Sequence, residues 1–524
     1  MKKAPVIHPV LFAISPILFL LARNIHLFHV TVALRLTAIS ACLALLSWSV
    51  LSSILKDKRK AGLIVSLFVL LFFSYDGLFD WAAALMGKLL GGYLFGMRAY
   101  VLLACAALLA VGGYFVIRTR ADLQGPTNIA NIVAGCLVVF SLVRVGAHEI
   151  AAMSGGQKDA SSEESIETNP VGPEDPDALP NIFYIVLDEY GGAGILEEIY
   201  RYDNRAFLDY LTRKGFYVAG ESRSNYSHTV LSVASSMNMR YLDGLADQVG
   251  VESRDYRAAA DMIRHSTVID LLKHHGYEIV SFSTGYSGTE IRDADVYLAL
   301  PPDLLFSEFE WSLLDMTPVR FMLNQIGFGP DLKRDRILYT FERLVDVAER
   351  EGPFFVFAHV IAPHPPFVFG RHGEKIDLGR EFTLAGPQGL IRNQASTEDE
   401  YLNHYVDQLL FINGRVQATL DGILARSARP PVIILQSDTG PAALLDREDP
   451  DNTYFPERFS ILNAYYLPNK GDAQLYDGIT PVNTFRIVFN QYFRADYEML
   501  EDESYYSTRG RPYKFINVTD EITP

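Results

Sequence analysis

The sequence predicts an α/β protein in two parts: a five-helix membrane anchor, then a doubly wound, mostly parallel sheet domain. Apolar residues crowd into roughly the first 150 positions of the 524-residue chain. Beyond them, short β-branched and aromatic runs alternate with amphipathic stretches, as strands and helices do when a parallel sheet is covered on both faces. The net charge of −16 lies mostly in this second part. It leaves no basic patch for phosphate backbones, so nucleic acid is excluded as a partner.

The anchor is read from length. A hydrocarbon core of about 30 Å needs close to 20 apolar residues at 1.5 Å per residue. Five stretches qualify or nearly so, at residues 8–24, 29–55, 62–86, 93–117 and 127–149. Lys2 and Lys3, the run Lys56 to Lys60, and Arg118 with Arg120 then fall on one face, which the positive-inside rule makes cytoplasmic. An odd number of spans sends the C-terminal domain to the opposite side, the periplasm or exterior of a bacterial inner membrane. The first stretch is read as retained, because no small-residue cleavage site follows it. The alternative is that one short span is re-entrant. Asp76 and Asp80 sit at a depth similar to Arg98, which predicts either an interhelical ion pair or a lipid-headgroup contact.

The anchor is assigned to residues 1–154, and residues 155–179 (GGQKDASSEESIETNPVGPEDPDAL) read as an acidic, flexible linker. The sheet domain is assigned to 180–524. Its first strand is IFYIVL, from Ile182, a continuous apolar run that suits a strand buried on both faces. In the segment STVIDLLKHHGYEIVSFSTGY, a capped helix from Ser266, a stop at Gly276 and a second strand follow. The strands PFFVFAHVIA, PVIILQ and FSILNAYYL come next, with a long helix over Glu398–Ala425 and another from Val482. Cys42, Cys105 and Cys136 all lie in the anchor, so the domain has neither a disulfide nor a thiol nucleophile.

In such a sheet, ligands bind beyond the carboxyl ends of the strands. Those ends carry Asp188 and Glu189 after IFYIVL, Asp438 with Thr439 after PVIILQ, and His364 in the loop PHPPF past the strand containing His359. A carboxylate after a strand often caps a helix. Two of them with a loop histidine also form a set that a divalent cation accepts. His228, His274 and His275 read as exposed helix or loop residues without a role.

The ordered motifs NIFYIVLDEYGG, NYSHTVLSVASSMNM, HVIAPHPPF, LQSDTGP and RFSILNAYYLP resemble the sulfatase and alkaline-phosphatase superfamily. The likeness is greatest to its membrane-anchored branch, which includes lipoteichoic acid synthases and phosphoethanolamine transferases. The resemblance implies Asp188 and Asp438 as metal ligands, with Glu189 a further contact. It implies Thr229 as nucleophile and metal-bound hydroxyl, His364 as the histidine at the substrate phosphate or leaving group, and Ser232 and His359 among substrate contacts. One divalent ion, Zn, Mn or Mg, is the implied cofactor. Thr439, counted with Glu189 as a further metal contact, departs from the pattern, because the transferase branch carries histidine there and sulfatases carry asparagine.

Thr229 is a weak nucleophile unless a metal or base activates it. It also starts a helix, where capping alone would account for it. Because sulfatases make formylglycine from cysteine or serine, Thr229 favours a phosphate over a sulfate ester. The implied activity is transfer of a phosphoalcohol, glycerol phosphate or ethanolamine phosphate, from phospholipid to an envelope glycan through phosphothreonine. The alternatives are a catalytically impaired membrane subunit that binds a glycan or partner in polysaccharide assembly, and a sulfate or other ester hydrolase. Oligomeric state is left open. The topology is testable in cells: a cysteine placed between residues 160 and 175 is expected to react with a membrane-impermeant maleimide. One placed at Lys58 is expected to react only after permeabilisation.

Overall fold

The computed structural model describes residues 5–90, 96–155, 179–325, 332–376, 397–469 and 471–522. The linker expected over 155–179 lies outside the described residues except at its two ends. The chain divides into two compact units, one built on the N-terminal helices and one on the sheet.

The N-terminal unit corrects the count of five spans. Among the described residues, only the helices Val32–Leu55, Met97–Arg118 and Gln124–Ala151 are long and apolar enough to cross a membrane alone. The third predicted stretch is broken near Ser74 into Lys58–Phe73 and a helix from Tyr75, bent by 56°, and this pair makes at most a fourth span. The first stretch is a helix of 16 residues, His8–Arg23, too short to span unaided. The span Val32–Leu55 leaves Leu34, Leu43, Leu46 and Ile54 between 59 and 69 % exposed, a surface suited to lipid rather than water. Arg98 does pair with Asp76, at 3.2 Å.

This unit also contains a segment from Phe306 that the sequence assigns to the sheet domain. Phe309 and Leu313 pack with Ile17, Leu21, Ile25 and Phe28, and the rings of Phe28 and Phe309 meet edge to face at 5.4 Å. Glu310 completes a capping box with Ser307 and accepts from the Arg35 Nε at 2.8 Å.

In the second unit the strands are β1 (Ile182–Leu187), β2 (Tyr217–Val218), β3 (Glu278–Phe282), β4 (Val296–Leu298), β5 (Phe354–Val360), β6 (Val432–Ser437) and β7 (Asn463–Tyr466). They form one sheet in the order β2-β7-β6-β1-β5-β3-β4. Neighbours from β6 through β4 run parallel, whereas β7 is antiparallel to β6 and to β2. The predicted strand FSILNAYYL is therefore shorter and reversed: Phe459 ends a short helix, and only Asn463–Tyr466 pair as a strand. A hairpin of β8 (Tyr505–Thr508) and β9 (Arg511–Asn517) follows.

Residues of β1 alternate between two cores. Ile182, Tyr184 and Val186 face the helices Thr229–Asn238 and Pro481–Phe493. Phe183, Ile185 and Leu187 face Leu332–Val347 and Glu398–Arg426. The helix Leu332–Val347 is fastened by Arg336, whose guanidinium donates to both oxygens of Asp303 at 2.6 and 2.8 Å with both side chains buried. Removing one partner of a buried pair leaves the other charge uncompensated. Asp303→Ala is expected to destabilise this unit by about 3–5 kcal/mol, read as a lowered thermal midpoint of the full chain in detergent.

Candidate active site

Register explains which residues meet. In the parallel sheet, Val186 of β1 lies opposite His359 of β5 and Gln436 of β6. Side chains two apart on a strand share a face. Asp188 and Asp438, each just past a strand end, therefore come to the same side as His359, the side covered by the helix that begins with Thr229. Asp188, His359 and Asp438 are all buried, and ligand atoms from the three lie within 4.8 Å of one another.

The backbone around them is tied tightly. Ser232, one turn along its helix from Thr229, donates to the Asp438 carbonyl at 2.6 Å, so the helix is pinned to the end of β6. Asp438 Oδ1 accepts from the Glu189 amide at 3.2 Å. Gly440 permits a close approach no other residue allows: a Cβ there would lie 2.1 Å from the Glu457 carbonyl. Glu189 holds φ at 60°, in the left-handed region that costs a residue with a side chain about 1 kcal/mol or more. Such strain persists only where the surroundings impose it.

Unpartnered atoms mark the centre. Asp188 Oδ1, Glu189 Oε2, Asp438 Oδ2, His359 Nε2 and Thr439 Oγ1 are buried and without a hydrogen-bond partner among the described residues. Burial, with Asp438 and Glu189 adding repulsion, pushes the Asp188 carboxyl well above its ordinary range. Burial also raises Asp438, against the Thr229 hydroxyl, which interacts with that carboxyl and lowers it. Burial pushes Glu189 up too, yet His364, Arg458 and Arg447 outweigh it and hold it below the usual range. Buried acceptors that lack donors are what a cation satisfies. Two carboxylates and an imidazole suit a divalent metal ion, so the residues present fit the cofactor that the sequence implies.

Cations ring the centre. Arg458 donates to Glu189 Oε1 at 2.8 Å, to the Gly440 carbonyl at 2.8 Å and, through Nε, to the Ser227 carbonyl at 2.9 Å. Arg447 comes within 3.9 Å of Glu189. Lys333, in the first turn of its helix, donates to the carbonyls of His364 and Pro366 at 2.6 and 3.1 Å, which anchors the PHPPF loop. Burial lowers this amine to about 7, against the attraction of Asp188 and Glu189. His364 donates through Nδ1 to the Pro365 carbonyl and turns Nε2 toward Glu189 Oε1 at 3.8 Å.

Of the residues singled out in the sequence, Asp188, Glu189, Thr229, Ser232, His359, His364, Asp438 and Thr439 all belong to this region. The hydroxyl of Ser232 is engaged by backbone, and His359 stands beside the carboxylates. His228 is not exposed as expected: it donates through Nε2 to the Ser507 carbonyl at 2.9 Å, and burial lowers it to about 3. Lys333, Arg447 and Arg458 were not anticipated. Arg458 stands inside a motif already noted, RFSILNAYYLP; Lys333 and Arg447 carry no local signal.

The mostly parallel α/β sheet gathers an alcohol, acidic residues and histidines at its strand ends. A family model described as Sulfatase matches residues 180–494, and the chain belongs to that family. No curated protein matches it in sequence. Among solved structures, the C-terminal periplasmic domain of EcEptC from Escherichia coli is 11 % identical. That match covers 66 % of this chain and 92 % of that one, with a TM-score of 0.42. Lipooligosaccharide phosphoethanolamine transferase A (EptA) from Neisseria meningitidis is 12 % identical over 92 % of this chain and 94 % of that one, with a TM-score of 0.39. The periplasmic domain of phosphoethanolamine transferase EptC from Campylobacter jejuni is 12 % identical, covering 62 % and 92 %, with a TM-score of 0.38.

Proposed function

We propose that this sulfatase-family membrane protein is a metal-dependent transferase. In this reading it moves a phosphoalcohol, glycerol phosphate or ethanolamine phosphate, from phospholipid to an envelope glycan. The observation that carries the reading is the Thr229 hydroxyl at a helix N-terminus, interacting with Asp438 and close to the unpartnered atoms of a cation-ready cluster.

The charges favour an anionic ester. Asp188, Glu189 and Asp438 stand against Lys333, Arg447 and Arg458, so a bound dication leaves a positive surplus. That surplus suits a phosphodiester. The helix N-terminus adds amide donors and a partial positive charge where phosphoryl oxygens would lie. A divalent ion there would lower the pKa of an alcohol and neutralise charge on phosphoryl oxygens.

Thr229 Oγ1 attacks phosphorus, and the bond from phosphorus to the diacylglycerol oxygen breaks. The phosphoalcohol stays on Thr229 until a second hydroxyl resolves it. His364 Nε2 exchanges the protons of the two steps, since Nδ1 is committed to the Pro365 carbonyl. Arg458 and Lys333 hold the loops that carry these groups. Tethering the domain to the membrane keeps phospholipid at high effective concentration. A sulfate ester is disfavoured because Thr229 cannot become formylglycine. A non-catalytic subunit is disfavoured because, among the described residues, buried oxygens of Asp188 and Asp438 stand without donors beside the Thr229 hydroxyl.

The test is diacylglycerol release by the purified full chain in detergent with headgroup-labelled phospholipid. Release is expected to need a divalent ion and to stop on chelation. Thr229→Ala is expected to lower it by about three orders of magnitude or more. Unchanged release by Thr229→Ala, or release indifferent to chelation, would overturn the reading.

A further inference from the structure

The His359 ring is 1 % exposed, and its two nitrogens have different surroundings. Nδ1 lies 2.8 Å from the hydroxyl of Thr289, in the loop between β3 and β4. Nε2 has no partner and faces Asp188 Oδ2 at 3.9 Å.

A chain of hydroxyls leads away from Nδ1 and favours a proton on that nitrogen. The Thr289 hydroxyl donates to Thr284 Oγ1 at 3.4 Å. Thr284 Oγ1 in turn reaches the Tyr286 carbonyl and Glu290 Oε2, each at 2.9 Å. A carbonyl and a carboxylate only accept, so the donors run in one direction. With its single proton directed to Thr284, Thr289 is left to accept from His359 Nδ1–H, the arrangement that keeps the Nε2 lone pair free. The opposite tautomer would leave a buried Nε2–H whose nearest carboxylate oxygen, at 3.9 Å, is beyond hydrogen-bond range. The loop is fixed for this purpose. Glu290 Oε2 accepts from the amides of Thr284 and Gly285 at 3.3 and 3.1 Å, and Oε1 accepts from the Tyr297 hydroxyl. Gly285 takes φ of +73°, and a Cβ there would strike the Arg336 guanidinium.

A buried imidazole lone pair turned toward two carboxylates is repulsive unless a cation lies among them. We propose that His359 Nε2 supplies the nitrogen ligand to the divalent ion held with Asp188 and Asp438, at a place on β5 rather than at position 439, and that Thr289 is the positioning residue that fixes its tautomer. Outer hydrogen bonds of this kind orient a ligating imidazole and raise its basicity. The inference rests on the metal-dependent reading above and assigns the ligand set within it.

The experiment uses Zn2+ alone as the probe on the full chain in detergent. It combines chelator competition for affinity with X-ray absorption fine structure for the ligand shell. Wild type is expected to bind Zn2+ stoichiometrically with an imidazole in the shell, and His359→Ala to lose that imidazole. Because His359→Ala also leaves a void in a fully buried position, Thr289→Val is the sharper variant. It is expected to weaken Zn2+ binding about 10- to 100-fold, and Thr289→Ser to restore it. An oxygen-only shell in Zn2+-loaded wild type would overturn the assignment, and undiminished affinity in Thr289→Val would overturn the role of Thr289. Absence of Zn2+ binding by wild type would instead defeat the metal-dependent reading, and this inference with it.

Discussion

The site depends first on one buried guanidinium. Arg458 is 2 % exposed, and its charge is tolerable there only because Glu189 and two carbonyls receive its donors. Those partners belong to different loops: Glu189 follows β1, Gly440 follows β6, and Ser227 precedes the helix of Thr229. A planar fork that engages all three fixes their mutual spacing, which a flexible ammonium would do less well. The left-handed backbone at Glu189 is held in the same grip. Thr229 and Asp438 are then brought together by the Ser232 hydroxyl on the Asp438 carbonyl.

The second constraint is electrostatic. Crowding Asp188, Glu189 and Asp438 behind two strand ends is costly, and the protein divides the cost between protein cations and a place for a bound one. Arg458, Arg447 and His364 attend to Glu189, which keeps it ionised. Asp188 and Asp438 keep unpartnered oxygens and, with His359, face one point. The division separates a carboxylate that organises loops from a pair that is free to bind. Lys333 stretches the same logic across the sheet, placing a buried amine where helix polarity alone would disfavour it.

Much of this was legible because strand ends are legible. Continuous apolar runs located β1, β5 and β6, and the rule that parallel sheets bind ligands at their carboxyl ends singled out Asp188, Asp438 and His364. His359 is named in the sequence only among substrate contacts, and its place beside Asp188 is what local reading does not give. Strand parity, counted through the pairing of Val186 with His359, puts it on the face of Asp188, but the pairing of β1 with β5 is not written locally. Arg447 and Lys333 are invisible for the same reason, since their meaning comes from loops remote in sequence. In the anchor, hydropathy averages hid the break near Ser74 and the shortness of His8–Arg23. The sequence position of Phe306 also gave no sign that its segment packs with Ile17 and Phe28.

Transfer through Thr229 requires a bond from its Oγ1 to phosphorus. The most direct measurement is mass spectrometry of the full chain, acid-quenched after incubation with headgroup-labelled phospholipid and a divalent ion, then digested. Transfer through Thr229 predicts that the peptide containing this residue carries the labelled phosphoalcohol, and that chelation removes the adduct. Headgroup turnover under the same conditions with Thr229 unmodified at every quench time would contradict it.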